Sequence, residues 1–415
     1  MMKDNSEGIQ HVFICGSKSI GQYGGFETFV NKLSEYLQDD NTIKLHIACK
    51  ANGNGSMDMS QLDGVNYIQR SNNLEFEYND AHCFTISVPE SIGPAQAIFY
   101  DIAALRYSIN YCKRYHIQKP IFYILACRIG PFIGYYKRII KKLGGTLQVN
   151  PDGHEWKRAK WSKPIKKYWK FSERLMVKHA DLLICDSVNI QSYIQKEYSK
   201  YSPSTVYISY GSEVTVKKQD KRNPKYQKWL EQNVLRENEY YLIVGRFVPE
   251  NNYETMLREY TRSNTSKELV IITNLNEQFL GELKSLVHFE NDRRIRFVGT
   301  VYDTELLRII REHAYAYIHG HEVGGTNPSL LEAMGATQVN LLLDVPFNRE
   351  VGENTTLYWN KDAFSLADLI DEVDEMSDDI RASYGKKAKE RIENHYSWEI
   401  ISTEYKKIWS PIMGK

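Results

Sequence analysis

His11-Val-Phe-Ile-Cys-Gly-Ser-Lys-Ser-Ile-Gly-Gln-Tyr-Gly-Gly-Phe-Glu-Thr-Phe-Val30 reads as a strand, a glycine loop and the opening turns of a helix. His11–Cys15 is short, apolar and rich in β-formers. Beyond Gly25, the residues Phe26, Phe29, Val30, Leu33 and Leu37 recur at helical spacing, with Glu27 in the first turn, where the helix dipole favours a carboxylate. Working outward, the alternation continues. Lys44–Cys49 is expected as a strand, Ala95–Tyr115 as a helix, and Pro120–Ala126, Thr146–Val149, Asp181–Cys185 and Val206–Ser209 as strands. Such alternation implies a parallel sheet with helices on both faces.

The pattern restarts after Tyr210–Asn238, a polar stretch expected to be a linker. Tyr241–Gly245 opens a second series, with a helix near Tyr253 and strands at Glu268–Thr273, Ile295–Val298, Ala314–His319 and Val339–Leu343. At 415 residues, two domains of roughly 200 residues are the natural division. The expectation is an α/β protein with two tandem Rossmann-like, doubly wound parallel-sheet domains facing a cleft. They cover 1–210 and 211–397, and an amphipathic C-terminal segment, 398–415, packs back on the first.

Composition narrows the function. The 53 basic and 52 acidic residues leave a net charge of +1, which argues against a nucleic-acid binder that relies on bulk charge. Six scattered cysteines with no C-x-x-C pair offer neither a disulfide framework nor metal-ligand spacing, and read as buried thiols. The N-terminal Met-Met-Lys-Asp-Asn-Ser-Glu-Gly lacks a signal peptide's apolar core. No uncharged run approaches the ~18 residues of a membrane helix, so a cytoplasmic protein is expected. Neither domain's first strand is followed by G-x-G-x-x-G, which argues against an NAD enzyme.

Four loops fall at strand ends, where open α/β folds bind ligands. Gly21–Gly25 lets backbone approach a ligand, or is a plain tight turn. Asn150-Pro-Asp-Gly-His-Glu-Trp-Lys-Arg158 gathers Asp152, His154 and Glu155, although a histidine there is more often solvated than catalytic. Lys157 to Lys170 holds seven basic residues and no acid, interleaved with Trp161 and Trp169 and preceded by Trp156. This is either a solvated basic helix or a surface for anionic headgroups. Gly245-Arg246 puts a guanidinium just after a strand, able to fork to phosphate oxygens. His319-Gly-His-Glu-Val-Gly-Gly-Thr-Asn-Pro-Ser-Leu-Leu-Glu-Ala-Met334 is the most informative. A glycine loop there leads to a helix near Pro328 whose amides around Thr326–Ser329 would face a diphosphate. Glu332 can accept from ribose hydroxyls. The plain alternative is a buried helix whose glutamate caps something.

Gly245-Arg-Phe-Val-Pro-Glu-Asn-Asn252 and Gly324-Gly-Thr-Asn-Pro-Ser-Leu-Leu-Glu-Ala-Met334 resemble the GT-B-fold retaining glycosyltransferases of family 4. Tyr23-Gly-Gly-Phe-Glu-Thr-Phe-Val30 and Asp152-Gly-His-Glu-Trp-Lys-Arg-Ala-Lys-Trp161 are similar to N-terminal signatures of the bacterial rhamnosyltransferase branch that builds capsular and cell-wall polysaccharides. The likeness spans nearly the whole chain. It implies that Arg246 contacts the donor diphosphate and Glu332 the ribose. Gly324, Gly325, Thr326 and Asn327 would hold sugar and phosphate, Asn251 would lie beside them, and Gly24 and Gly25 would sit against the sugar's other face. Asp152 would orient acceptor or sugar. His154, Glu155, Trp156, Lys157, Arg158 and Trp161 would face the acceptor or a membrane. Three residues depart from the wider pattern: Gly324 stands where a first glutamate is usual, Asn251 where a lysine is, and Asp152 where a histidine is. The donor implied is dTDP-β-L-rhamnose and the acceptor a lipid-diphosphate-linked sugar at the inner membrane face, with no metal or other cofactor and no nucleic acid. The alternatives are a UDP-glucose or UDP-N-acetylglucosamine enzyme of the same fold, and a non-catalytic member that binds glycan or a partner.

Overall fold

The computed structural model describes residues 8–22, 24–62, 64–70, 74–214 and 223–410. Tyr23 of the first glycine motif, part of the expected linker and the last residues of the C-terminal segment lie outside them. The chain forms two compact units. The first holds described residues of 1–156, 163–209 and 398–415, and the second those of 157–162 and 210–397.

The first unit opens with β1 (Gln10–Cys15), α1 (Gly25–Leu37) and β2 (Ile43–Lys50). There follow β3 (Asn66–Arg70), β4 (Leu74–Tyr78), β5 (Ala81–Ile86), α2 (Gln96–Arg114) and β6 (Ile121–Leu125). Next are α3 (Gly130–Lys142), β7 (Thr146–Asn150), α4 (Lys163–His179), β8 (Leu182–Cys185), α5 (Val188–Glu197) and β9 (Thr205–Tyr207). The sheet order is β3-β4-β5-β2-β1-β6-β7-β8-β9. The centre is parallel, and its strands are near-continuous apolar runs because both faces are covered.

The edge departs from the all-parallel expectation: β3, β4 and β5 run antiparallel. Asn79 and Asp80 take positive φ (48° and 56°) between Tyr78 and Ala81, which pair across the turn. A two-residue turn of that hand matches strand twist. The alternation Leu74-Glu75-Phe76-Glu77-Tyr78 fits a strand near the sheet's margin, between β3 and β5, with a single buried side chain, Phe76. All six cysteines are buried and unpaired.

The second unit runs α6 (Pro224–Asn233), β10 (Tyr240–Val244), α7 (Tyr253–Arg262), β11 (Glu268–Ile272), α8 (Glu277–Val287) and β12 (Ile295–Phe297). It continues with α9 (Thr304–Glu312), β13 (Ala316–His319), α10 (Pro328–Ala336), β14 (Asn340–Leu343) and α11 (Pro346–Gly352). It ends with β15 (Leu357–Trp359), α12 (Ser365–Glu375) and α13 (Asp378–His395). Its six parallel strands are ordered β12-β11-β10-β13-β14-β15. Alternate residues of β10 feed two cores: Tyr241 and Ile243 pack with α7 and α12, whereas Tyr240, Leu242 and Val244 pack with α6 and α9. The expected linker therefore contains a structural helix. Tyr226, Trp229 and Leu230 lie at i, i+3, i+4 and bury the inner face of α6.

The final helix, α14 (Trp398–Trp409), returns to the first unit. Its Tyr405 and Trp398 rings pack on Phe29 of α1, the Tyr405 hydroxyl meets that of Tyr123 at 2.9 Å, and Trp409 Nε1 donates to Gln148 Oε1 at 2.8 Å.

In the first sheet the order reverses at β1 and β6, whose ends nearly touch. Gly16 has φ +123°, and a Cβ there would lie 2.5 Å from the Leu125 carbonyl oxygen. Gly16→Ala should lower stability by at least about 1–3 kcal/mol from backbone strain alone. A urea midpoint equal to that of the parent would contradict the close approach.

Candidate functional site

In the second unit the order reverses between β10 and β13, the position at which open α/β sheets leave a crevice at their carboxyl ends. Arg246 follows β10 by two residues and is exposed. Asn251 ties its loop down: Nδ2 donates to the Arg246 carbonyl at 2.7 Å, and Oδ1 meets His321 Nδ1 at 2.8 Å. Since the amide nitrogen is already a donor, Oδ1 accepts, and the His321 proton is assigned to Nδ1. Burial holds that imidazole well below its usual range, so it is neutral and its Nε2 is an acceptor. That nitrogen faces Gly324, where φ is +153° and an added Cβ would lie 2.9 Å away. Asn252 Nδ2 donates to the Gly320 carbonyl at 2.8 Å and reaches Glu322 Oε2 at 3.3 Å, and Lys361 Nζ pairs with that oxygen at 2.6 Å. The Arg246 loop and the Gly320–Asn327 loop are thus fastened at two points.

Gly324, Gly325 and Thr326 are buried, and Asn327 caps α10 by accepting from the Ser329 amide at 2.9 Å. Pro328 has no N–H. The expectation that amides as far as Ser329 face an anion is therefore corrected, because the Ser329 amide belongs to the helix's own cap.

Glu332 lies one turn into α10 and keeps 27% side-chain exposure. Its Oε2 pairs with Arg311 Nη1 at 2.7 Å. Arg311 comes from α9 and is buried, and its Nη2 donates to Ser329 Oγ at 3.1 Å. Ser329 Oγ in turn donates to the Val244 carbonyl at 3.2 Å, which also receives the Tyr317 hydroxyl at 3.1 Å. Sequence reasoning missed Arg311. It stands mid-helix in Thr304–Glu312, and only the fold reveals which carboxylate it meets.

In the first unit Gly24 precedes α1 with an extended backbone, its carbonyl accepting from Thr28 N at 2.8 Å, and Gly25 is exposed. Glu27 Oε1 accepts from the Lys18 amide at 3.0 Å and so closes the glycine loop. Asp152 follows β7 in a left-handed conformation (φ 57°), its Oδ1 taking the Gly153 amide at 2.8 Å and its own amide bound by Asn150 Oδ1. The switch point β1/β6 carries Arg128, also missed in the sequence. Its Nη1 donates to the carbonyls of Gly16 (3.2 Å) and Leu125 (3.3 Å) and pairs with the buried Asp101 at 3.1 Å. Burial opposes the Arg128 charge, but Asp101, aided by Asp152 and Glu155, outweighs it and holds the guanidinium above its usual range. An arginine shortly after an expected strand was the signal used for Arg246, and it applies equally here.

The expected acceptor or membrane residues separate. His154 is buried with its ring on Tyr193 and Trp156, and Arg158 is buried as well. Neither presents a face to a membrane. Glu155, Trp156 and Trp161 are half-buried, and Lys157 is exposed.

A protein-family model described as a domain of unknown function (DUF1972) matches residues 9–213. No curated protein matches the chain. Solved structures match over almost the whole length. A sucrose-phosphate synthase from Thermosynechococcus elongatus aligns at 18% identity over 97% of this chain and 98% of that one, with a TM-score of 0.68. A glycosyltransferase from Rickettsia africae aligns at 14% identity over 96% and 98%, TM-score 0.67. HepE of Anabaena in complex with UDP-glucose aligns at 12% identity over 96% and 99%, TM-score 0.67. At these identities the likeness establishes the fold, which is GT-B with two Rossmann-like domains.

Two outcomes test this geometry. Arg311→Met strands the Glu332 carboxylate. It should cost stability at the lower end of about 3–5 kcal/mol, given the residual exposure of Glu332, and Glu332→Gln in the same chain should return part of the loss. Strictly additive losses in denaturant midpoints would refute the pairing. Burial pushes His319 down to about 3 from 6.5, so the native state refuses a proton that the unfolded chain accepts. Stability is then intact above about pH 6.5 and falls as the pH drops towards 3. His319→Asn should reduce that slope by about 1.4 kcal/mol per pH unit. An unchanged slope would contradict the assignment.

Proposed function

We propose that this chain is a nucleotide-sugar-dependent retaining glycosyltransferase that moves L-rhamnose from dTDP-β-L-rhamnose to a lipid-diphosphate-linked sugar. The observation that carries the reading is the β10/β13 switch point. There Arg246 follows β10 by two residues, the Val244 carbonyl of β10 receives Ser329 at the start of α10, directly after the Gly324–Asn327 loop, and Ser329 is linked through Arg311 to Glu332. The solved structures of this fold include HepE in complex with UDP-glucose, which supports a nucleotide-sugar donor.

In this reading the second unit takes the donor. Glu332, with one oxygen fixed by Arg311, receives a ribose hydroxyl on the other. Departure of the nucleoside diphosphate builds negative charge, and in this reading Arg246 and the loop amides receive it. Asn251, bound to both loops, fixes Arg246's backbone rather than adding a cation. The acceptor attacks the face from which the leaving group departs. A leaving phosphate oxygen takes its proton, so no separate base is called for, and the scheme uses no metal. The resemblance assigns Gly24 and Gly25 of the first unit to the sugar, and Asp152 to acceptor or sugar. Gly324, where a glutamate is usual, fits a 6-deoxy sugar with one hydroxyl fewer to be recognised. The lipid-linked acceptor implies work at the inner face of the plasma membrane. Among the described residues, no helix is long and apolar enough to cross a membrane.

The test is mass spectrometry of products formed from a lipid-linked acceptor offered dTDP-rhamnose, UDP-glucose and UDP-N-acetylglucosamine in turn. Rhamnosyl product is expected, and glucosyl or N-acetylglucosaminyl product would replace the donor while keeping the reaction class. Arg246→Ala should lower turnover by roughly 10²–10³, the usual cost of losing one leaving-group donor. Glu332→Gln should weaken donor binding in calorimetry. Absence of binding by any nucleotide sugar would overturn the enzymatic reading.

A further inference from the structure

Helices α3 and α4 lie on one side of the first unit's sheet. The steps β6 to β7 and β7 to β8 run in the same direction across it, and right-handed crossovers then put both helices on the same face. They are fastened to each other. The Gly130 amide donates to Ser172 Oγ at 2.8 Å, Ser172 Oγ donates to the Cys127 carbonyl at 2.6 Å, and the Tyr168 hydroxyl donates to the Arg128 carbonyl at 2.7 Å. Ile133, Ile140, Met176 and Val177 are buried beneath.

The outward side is unusual in two respects. First, it carries cations without acids. α3 contains no acidic residue, and the sole acid of α4, Glu173, is buried and bound by the hydroxyls of Tyr193 and Tyr198. Arg138 and Lys142 on α3, and Lys167, Arg174 and Lys178 on α4, are exposed at helical spacing. Lys137 and Lys170 are paired at the flanks with Asp181 and Glu197 and do not add to this excess. With a whole-chain charge of +1, such a face is a local concentration of charge. Second, three large rings stand among these cations instead of in a core: Phe132 at 46%, Tyr135 at 65% and Phe171 at 45% exposure. The Arg174 guanidinium lies 5.3 Å from the centre of the Phe171 ring. A basic helix face alone is ordinarily just solvated. Exposed phenyl rings on it gain nothing from water, but rings at headgroup depth with cations around them suit an anionic bilayer. The tryptophans singled out in the sequence, Trp156, Trp161 and Trp169, are half-buried, so the exposed rings are others.

We propose that the outer face of α3 and α4 is a membrane-docking surface that rests on anionic lipid headgroups, with Phe132, Tyr135 and Phe171 entering the interface. This goes beyond the donor reaction and does not depend on which sugar is moved. The full chain should sediment with vesicles of equimolar phosphatidylcholine and phosphatidylglycerol, should fail to sediment with phosphatidylcholine alone, and should be released by added salt. The triple change Phe132→Ser, Tyr135→Ser, Phe171→Ser, and separately Lys167→Glu, Arg174→Glu, Lys178→Glu, should each weaken vesicle binding by at least about tenfold. Circular dichroism and urea midpoints close to the parent's would show that both variants fold. Equal vesicle binding by parent and folded variants would overturn the proposal. So would parent binding that ignores lipid charge, or capture by single-stranded RNA in preference to vesicles at the same salt. Vesicle binding that survives while no nucleotide sugar binds would defeat the proposed reaction and leave this surface standing.

Discussion

The Val244 carbonyl accepts hydrogen bonds from the hydroxyls of both Tyr317 and Ser329, and the second unit's site depends on that convergence. A parallel sheet that reverses its winding leaves two strand ends diverging, each with backbone groups that must find partners. Here the end of β10 is satisfied by one hydroxyl from β13 and one from the first turn of α10. The same Ser329 receives Arg311, which holds Glu332. Strand, helix start and carboxylate are therefore positioned by one polar chain. The Asn251–His321 bond secures the loop beside it. Such a network is rigid only when every member is satisfied, so each link matters more than its single bond energy suggests.

The first unit meets the same need with charge. Arg128 spans the carbonyls of Gly16 and Leu125 and is neutralised by an aspartate with no exposure to water. An ion pair of that kind contributes little net stability over an apolar contact, but it fixes where its partners stand. The close approach of β1 and β6 leaves room for no side chain at residue 16, and the guanidinium spans the remaining gap. The two units thus solve one geometric problem with different chemistry, hydroxyls in one and a buried salt bridge in the other.

Much of this was legible beforehand. Strand-loop-helix periodicity located α2 to within a residue at each end and located the starts of α7 and α10, because apolar spacing and Pro328 are local signals. The β3–β5 edge was not read, although Asn79-Asp80 between alternating residues is a hairpin signal. Its strands are half polar and lack the continuous apolar runs of the centre. The helix α6 was hidden because only three of its ten residues are buried. Arg311 and Asp101 could not be assigned roles, since a charged residue inside a helix looks solvated until the fold supplies its partner. The tryptophans after residue 155 illustrate the converse. Their aromatic character was plain, but half-burial is decided by neighbours distant in the chain.

The return of α14 to the first unit has a consequence for biosynthesis. Phe29, Tyr123 and Gln148 belong to the part of the polypeptide that leaves the ribosome early, yet the residues that cover them, Trp398, Tyr405 and Trp409, emerge only after the whole second unit has been made. Domains ordinarily fold as units in the order of their synthesis. Here the earlier one must wait with an apolar groove uncovered while a complete αβ body forms in between. Vectorial folding is thereby converted into a late closure, and a nascent chain stalled before residue 398 is the form most in need of a chaperone.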